Sequence, residues 1–284
     1  MLVSPLRYPG GKARLLPFFA QLIQDNALFN CSYHEPYAGG AGLALKLLSG
    51  GFVRDIVLND IDEAVFAFWD SVLYKNAEFC ARIENAPLTI DEWYKQRAVW
   101  QGKDLGDKLS LGFATFYLNR TNRSGIIEGA GPIGGYAQEG VWRLDARFNR
   151  AKQIASVRAL AGYQDRIQIR NEDAVPFIER SLLTADSLTY LDPPYYVKGS
   201  KLYRNSYVHE DHEEICALVD RHRSTNWVVS YDDVPAIRGI YCNYEPITYA
   251  LNYSAGRAGQ GQEVVYLSDA LRAPLIEGFE LAAE

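Results

Sequence analysis

Asp192-Pro193-Pro194-Tyr195 ends a short apolar run, Ser187 to Leu191, and brings a carboxylate, two prolines and an aromatic ring to one point of the chain. A basic stretch rich in tyrosine follows at once, with Lys198, Lys201 and Arg204 among Tyr196, Tyr203 and Tyr207. A second constellation lies near the N-terminus. There "HEPYAGGAGLALKLL" sets Glu35 ahead of Gly39, Gly40 and Gly42, and "DIVLNDID" ends another apolar run in Asp60.

The N-terminal constellation has the chemistry of a ligand site. Glycines permit tight backbone geometry and close approach of a ligand. Asp60 lies 21 positions after Gly39, and an acidic residue about 20 positions beyond such a turn is where a ribose diol is held. A dinucleotide turn would read G-x-G-x-x-G and receive pyrophosphate on backbone N–H groups. Glu35, ahead of the turn, would repel a pyrophosphate and suits a cation. S-adenosylmethionine carries a sulfonium, an amino group and a ribose, and no phosphate. The alternative for Glu35 and Asp60 is a pair of surface acids that cap helices.

Elements able to position these groups can be read from the pattern. Short β-type runs at Cys31 to Glu35, Ile56 to Asn59, Ile167 to Arg170, Leu188 to Leu191, Trp227 to Tyr231 and Val264 to Leu267 end in polar residues or glycine. Helical patterns at Leu43 to Leu48, Glu63 to Leu73 and Glu210 to His222 lie between them. Such alternation predicts an α/β protein with a largely parallel sheet covered on both faces. Ligands bind outside the carboxyl ends of such strands, so the polar residues that end the runs converge on one crevice. The alternation lapses between about Ser71 and Gly162, a stretch that predicts an inserted second domain, helical at first and then rich in turns and basic residues.

Composition narrows the class. The chain has 284 residues, 48% hydrophobic and 23% charged, with no repeat and no apolar run long enough to span a bilayer. Its first residues lack a signal-peptide pattern, and its four scattered cysteines form no CxxC pair; a cytoplasmic location is expected. Net charge is −6, yet residues 119 to 158 carry seven basic side chains against three acidic ones. A focused basic patch on an acidic protein is either a phosphate-binding footprint or a solvated helix face. "HEDHEE", with His209 and His212, reads as the acidic opening of a helix rather than as metal ligands, and no metal is expected.

"DPPY", "EPYAGGAG", "NDID" and the N-terminal "RYPGGK" together resemble the Dam-type family of DNA adenine N6-methyltransferases. Their order matches the subgroup with the donor motifs first, the target-recognition insertion next and DPPY after it. "LNRTNRSGI", "YRNSYVHEDHEEICALV" and "WVVSYDD" extend the resemblance over nearly the whole chain. It implies a Rossmann-like S-adenosylmethionine-dependent methyltransferase sheet, built from residues 1–70 and 160–284, with an inserted, mainly helical target-recognition domain at 71–159. The implied partner is double-stranded DNA, with a restriction endonuclease alongside or none.

The implied chemistry explains the DPPY stretch. An adenine amino group is a poor nucleophile because its lone pair is conjugated with the ring. If Asp192 and the carbonyl of Pro193 both accept hydrogen bonds from it, the nitrogen can pyramidalise and attack the donor methyl, leaving S-adenosylhomocysteine. Fixed proline φ angles stiffen that geometry, and Tyr195 offers a flat face for a base flipped out of the duplex. No proline-cysteine pair is present for the covalent attack that C5-cytosine methylation needs.

The resemblance also assigns donor contacts to Tyr8, Gly39 and Lys12, the last at the donor carboxylate, and ribose contacts to Asp60. Asp173 would meet the donor's adenine, or else cap a helix. Asp192 would lie between donor and acceptor. Arg120, Asn122 and Arg123 would read base edges or grip phosphates, and Lys198, Lys201 and Arg204 would hold the displaced backbone. Members that read GATC follow the arginine/asparagine motif with an "NVPFG"-like run; here "IIEGAGPIGGYAQEG" stands in its place, so a GATC target does not carry over. Cytosine, an RNA adenine or a protein amide are the other acceptors this chemistry could serve, and a DNA-binding module without catalysis is the alternative from another class.

Overall fold

A computed structural model describes residues 1–8, 11–196, 207–252, 260–277 and 279–281. In chain order its main elements are α1 (Leu16–Asp25), β1 (Ser32–Glu35), α2 (Gly42–Ser49), β2 (Asp55–Asn59), α3 (Glu63–Tyr74), α4 (Asn76–Asn85), α5 (Ile90–Gly102), α6 (Lys108–Thr121), α7 (Arg150–Ala161), β3 (Ile167–Arg170), α8 (Ala174–Leu182), β4 (Ser187–Leu191), α9 (His209–Asp220), β5 (Trp227–Asp232), α10 (Pro235–Ile240), β6 (Ile247–Asn252), β7 (Gln260–Leu267) and β8 (Phe279–Leu281).

Among the described residues the strands form one mixed sheet in the order β3-β2-β1-β4-β5-β7-β6-β8. β3 through β5 run parallel. β7 lies antiparallel between β5 and β6, and β8 closes the far edge antiparallel to β6. The expectation of a largely parallel sheet therefore applies to five strands; β6 and β8 carried no anticipated signal. Burial follows position. The central strands β1, β4 and β5 are buried at every residue, as strands covered on both faces must be, whereas edge strand β3 alternates, with Ile167 and Ile169 inside and Gln168 and Arg170 outside.

The order of the strands positions the site. From β1 the chain steps outward to β2 and β3, then returns to lay β4 on the other side of β1, paired from Ser32–Ser187 to His34–Thr189. The crevice of an open α/β sheet opens where the order reverses in this way. β1 ends in Glu35 and the glycine turn, and β4 ends at Asp192, so two motifs far apart in sequence become neighbours.

Helices start where polar caps permit. Asp62 caps α3 by accepting the Ala64 N–H, and Asp173 caps α8 by accepting that of Val175. Between β2 and β3 the chain makes α4 to α7, and the apolar faces of these helices join the sheet's own core: Phe79, Trp93, Phe116 and Val157 belong to the same buried cluster as Tyr33 and Leu58. α6 packs on α3 so closely that a side chain at Gly112 would collide with the Ala67 carbonyl. No helix among the described residues is long and apolar enough to cross a membrane.

Candidate active site

A cavity of about 360 Å³ opens at the carboxyl ends of β1, β2 and β4, within the range of small-molecule sites. Glu35, Ala38, Gly40, Ala41 and Gly42 of the turn, Asp60, Asp173 and Asp192 all line it. The middle segment supplies another wall through Trp100 of α5, Asn119 of α6 and the loop Ile126 to Glu128.

The glycine turn is held from beneath. One oxygen of Asp60 accepts the Gly39 N–H at 2.9 Å and the other accepts the Asp62 N–H at 3.0 Å. Gly39 has φ +45°, and a Cβ there would lie 2.6 Å from the Tyr8 ring. Gly39 thus makes room for Tyr8, which covers the turn and lines the cavity, rather than facing the cavity itself. Burial pushes the Asp60 carboxyl up to about 6, against the pull of its two backbone bonds. Glu35 is 6% exposed and accepts the Tyr33 hydroxyl at 2.9 Å; burial raises it to about 8. Asp173 both caps α8 and lines the cavity.

Asp192 is bound on one side. Its Oδ1 accepts from Lys12 Nζ at 2.6 Å and from Ser230 Oγ at 2.9 Å, and no described residue bonds Oδ2. Ser230 is in turn 2.7 Å from the Tyr190 hydroxyl. Burial holds the Asp192 carboxyl above the usual carboxylate range, with Lys12 opposing that shift and Glu263 adding to it. Burial alone would lower Lys12, yet the neighbouring carboxylates of Asp192 and Glu263 take its ammonium well above its ordinary value.

Several expected contacts are differently arranged. Lys12, expected at the donor carboxylate, is ion-paired to Asp192 and also donates to the Tyr195 hydroxyl at 3.2 Å. Tyr195, expected to offer an open face, is 3% exposed; its hydroxyl is turned inward to Glu263, and the Lys12 ammonium lies 4.9 Å over its ring. Asn122 is buried: it accepts the Trp93 indole N–H at 2.7 Å and donates to the carbonyl of Ile126. That corrects its assignment to DNA, since the amide is buried and bonded within the protein and presents no edge to a base. Arg120 donates through Nε and Nη2 to the Pro5 carbonyl, tying α6 to the N-terminal segment. Arg123 is exposed. Lys198, Lys201 and Arg204 lie outside the described residues. His212 is buried beside the Tyr231 hydroxyl, while His209 opens α9 next to Glu213. No group of residues able to hold a metal ion occurs among those described.

Reading along the chain missed several pairings. Tyr37 and Tyr207 line the cavity with their hydroxyls 2.9 Å apart. Asn119 receives the Arg7 N–H at 2.8 Å and donates to the Arg7 carbonyl at 2.7 Å, fastening the residue ahead of Tyr8. Arg7, Arg120 and Arg147 form a like-charged group: burial and Arg147 lower Arg7, and burial and Arg7 bring Arg120 down to about 10. The motif "RYPGGK" was the available signal for Arg7 and "LNRTNRSGI" the one for Asn119, though neither gave the contact between them; nothing in the sequence marked Glu263.

The family model for D12 class N6 adenine-specific DNA methyltransferase matches residues 8–254. Among solved structures the chain is similar to the rRNA methyltransferase aviRa from Streptomyces viridochromogenes, at 12% identity over 93% of this chain and 87% of that one, with a TM-score of 0.38. It is also similar to protein LPL1258 from Legionella pneumophila str. Philadelphia 1, at 13% identity over 94% and 87% of the two chains, with a TM-score of 0.35. No curated protein sequence matches it.

Proposed function

The chain belongs to the D12 class of N6 adenine-specific DNA methyltransferases, and from that premise we propose that Asp192 and the Pro193 carbonyl receive the amino group of an adenine flipped from duplex DNA, beside a donor seated on the glycine turn. The observation that carries this reading is the one-sided anchoring of Asp192. Lys12 and Ser230 hold Oδ1, which leaves Oδ2, on the wall of the same cavity as Glu35 and Asp60, for an incoming N–H.

The lining fits S-adenosylmethionine better than a dinucleotide. Lys12 is the one basic side chain among the described lining residues and is already paired, whereas Glu35, Asp60, Asp62 and Asp173 are acidic. A pyrophosphate would meet these carboxylates without a counter-charge; a cationic ligand with a ribose is matched by them. Glu35 would face the cationic end, Asp60 the ribose hydroxyls, and Asp173 with exposed Ile61 the adenine end. When bound, the donor supplies an activated methyl group on sulfur. The protein's part is to hold the acceptor amine by two oxygens so that its lone pair is available, and to keep water out of the cavity.

The helical segment 71–159 would approach the DNA. Arg123, Arg143 and Arg147 are exposed there, and the lowering of Arg7 by burial and by Arg147, and of Arg120 by burial and by Arg7, supports a group of cations whose repulsion an anionic backbone would relieve. Lys198, Lys201 and Arg204 are assigned to the displaced strand from the sequence motif alone.

Incubating the protein with duplex DNA and a labelled donor, then digesting to nucleosides, tests the reading. N6-methyladenine from the wild type and none from Asp192→Ala is expected. N4-methylcytosine as the product, or full activity of Asp192→Ala, would overturn it.

A further inference from the structure

We propose that Glu263, on β7, is a positioning residue for the methyl transfer: it holds the Tyr195 hydroxyl and the Lys12 ammonium so that Lys12 takes Oδ1 of Asp192 and leaves Oδ2 to the acceptor amine. This rests on the acceptor role assigned to Asp192 above.

Glu263 is fully buried. Its Oε1 accepts the Tyr195 hydroxyl at 2.5 Å, its Oε2 accepts the Tyr249 hydroxyl from β6, and Lys12 Nζ lies 3.6 Å from Oε2. In register beside it on β5 stands Asp232, which accepts the Tyr196 N–H at 2.9 Å. Carboxylates directly opposed on neighbouring strands repel each other, and a carboxylate removed from water is costly unless it is paired and hydrogen-bonded. Here each acid meets its partner on the segment just after Pro194. β5 and β7 thereby grip the two tyrosines that end the DPPY stretch.

The grip reaches the chemistry through Lys12. A single ammonium bridges Asp192, Tyr195 and Glu263. Asp192 and Glu263 approach it from different strands, so its position is a compromise between two carboxylates. Neutralising Glu263 would release Lys12 wholly to Asp192 and free the Tyr195 ring. The ammonium could then cover both oxygens of Asp192, and the acceptor amine would lose its place. Ser230, bonded to Oδ1 from the other side, cannot compensate, because it does not touch Lys12's other partners.

The test is Glu263→Gln in the full chain, with Asp192→Ala and Lys12→Met measured alongside. Glu263→Gln is expected to fold, by circular dichroism and melting, and to lower kcat about 10- to 100-fold with KM for DNA and donor within about threefold, the pattern of an interaction used in the transition state. On a Lys12→Met background it is expected to cost less than about threefold more, because both changes act on one carboxylate. A kcat within twofold of wild type, a loss confined to KM, or a loss that multiplies in full on Lys12→Met overturns the proposal. Should Glu263→Gln fail to fold, Tyr195→Phe cuts the same link from its other end while keeping the ring, and the same outcomes decide. Full activity of Asp192→Ala would instead remove the acceptor role itself.

Discussion

Lys12 and Asp192 stand 180 residues apart in the chain and are joined by an ion pair of 2.6 Å in the lining of the cavity. The pair commits one oxygen of Asp192, and on the acceptor role proposed above the other is left for the incoming amine. Its strength comes from burial: Lys12 has 5% of its side chain exposed and Asp192 24%, so water screens the pair little.

Lys12→Met is therefore expected to destabilise the protein by about 3–5 kcal/mol, the usual cost of leaving one member of a buried pair unpartnered. Lys12 opposes the upward push of burial and of Glu263 on Asp192. Without it the Asp192 carboxyl rises further, and the acidic limb of the pH–rate profile moves to higher pH. Urea unfolding and a kcat profile from pH 5 to 9 check both; an unmoved limb would show that Asp192 does not act as the ionised acceptor.

Donor binding should depend on pH through Glu35. Burial holds its carboxyl near 8, above the ordinary 4.5. Between those values the folded protein keeps a proton that the unfolded chain has released, so the stability of the ligand-free protein falls as pH rises through that window. A cationic donor favours the ionised form, so its affinity should rise by up to about tenfold per pH unit from pH 6 to 8. Calorimetry of S-adenosylmethionine binding in buffers of different ionisation enthalpy should show proton release. Glu35→Gln should melt several degrees above the wild type at pH 8 and match it near pH 4.5, yet bind the donor at least tenfold more weakly and without the pH dependence.

Gly39→Ala should harm both stability and donor binding. The position requires φ +45°, and the added Cβ would sit 2.6 Å from the Tyr8 ring, so the turn or the ring must shift. A loss of about 1–3 kcal/mol is expected for a strained left-handed residue. Gly51→Ala is the control: its φ is +74° but nothing lies within 4 Å of the added carbon, so it should cost stability and spare the donor. Equal donor affinity in the two variants would argue against Tyr8 as the cover of the turn.

Within the middle segment the side chains of Asn122, Arg123 and Arg147 should divide sharply. Arg123→Ala and Arg147→Ala should leave melting unchanged, weaken DNA binding across sequences and reduce the salt slope by about 1 each. Asn122→Ala removes bonds to Trp93 and Ile126 and should cost about 1–3 kcal/mol of stability. Fluorescence anisotropy across a salt series, paired with melting curves, separates the two behaviours. Normal stability of Asn122→Ala together with lost DNA affinity would return that residue to the interface.

Much of this was legible along the chain because it is local. Apolar runs ending in Glu35, Asn59 and Leu191 mark strands whose carboxyl ends carry polar residues, and the alternation with helices requires those ends to share one edge of a sheet. Glu35, Asp60 and Asp192 were found in this way and Asp173 through the resemblance, and all four line one cavity. β6 and the helical wall from Trp100 to Glu128 were not, since their faces are chosen by packing against elements far away in sequence.

By itself the sequence determined the alternation that builds the first five strands, the chemical types available and the edge on which they gather, all consequences of short-range periodicity and turn chemistry. Tertiary structure alone decided the partners. Lys12 turns to Asp192, Tyr195 is buried against Glu263, and Asn122 is spent on Trp93. The reason is physical: a side chain's partner is set by strand order, register and burial across 29 to 180 positions, and none of these leaves a period in the chain.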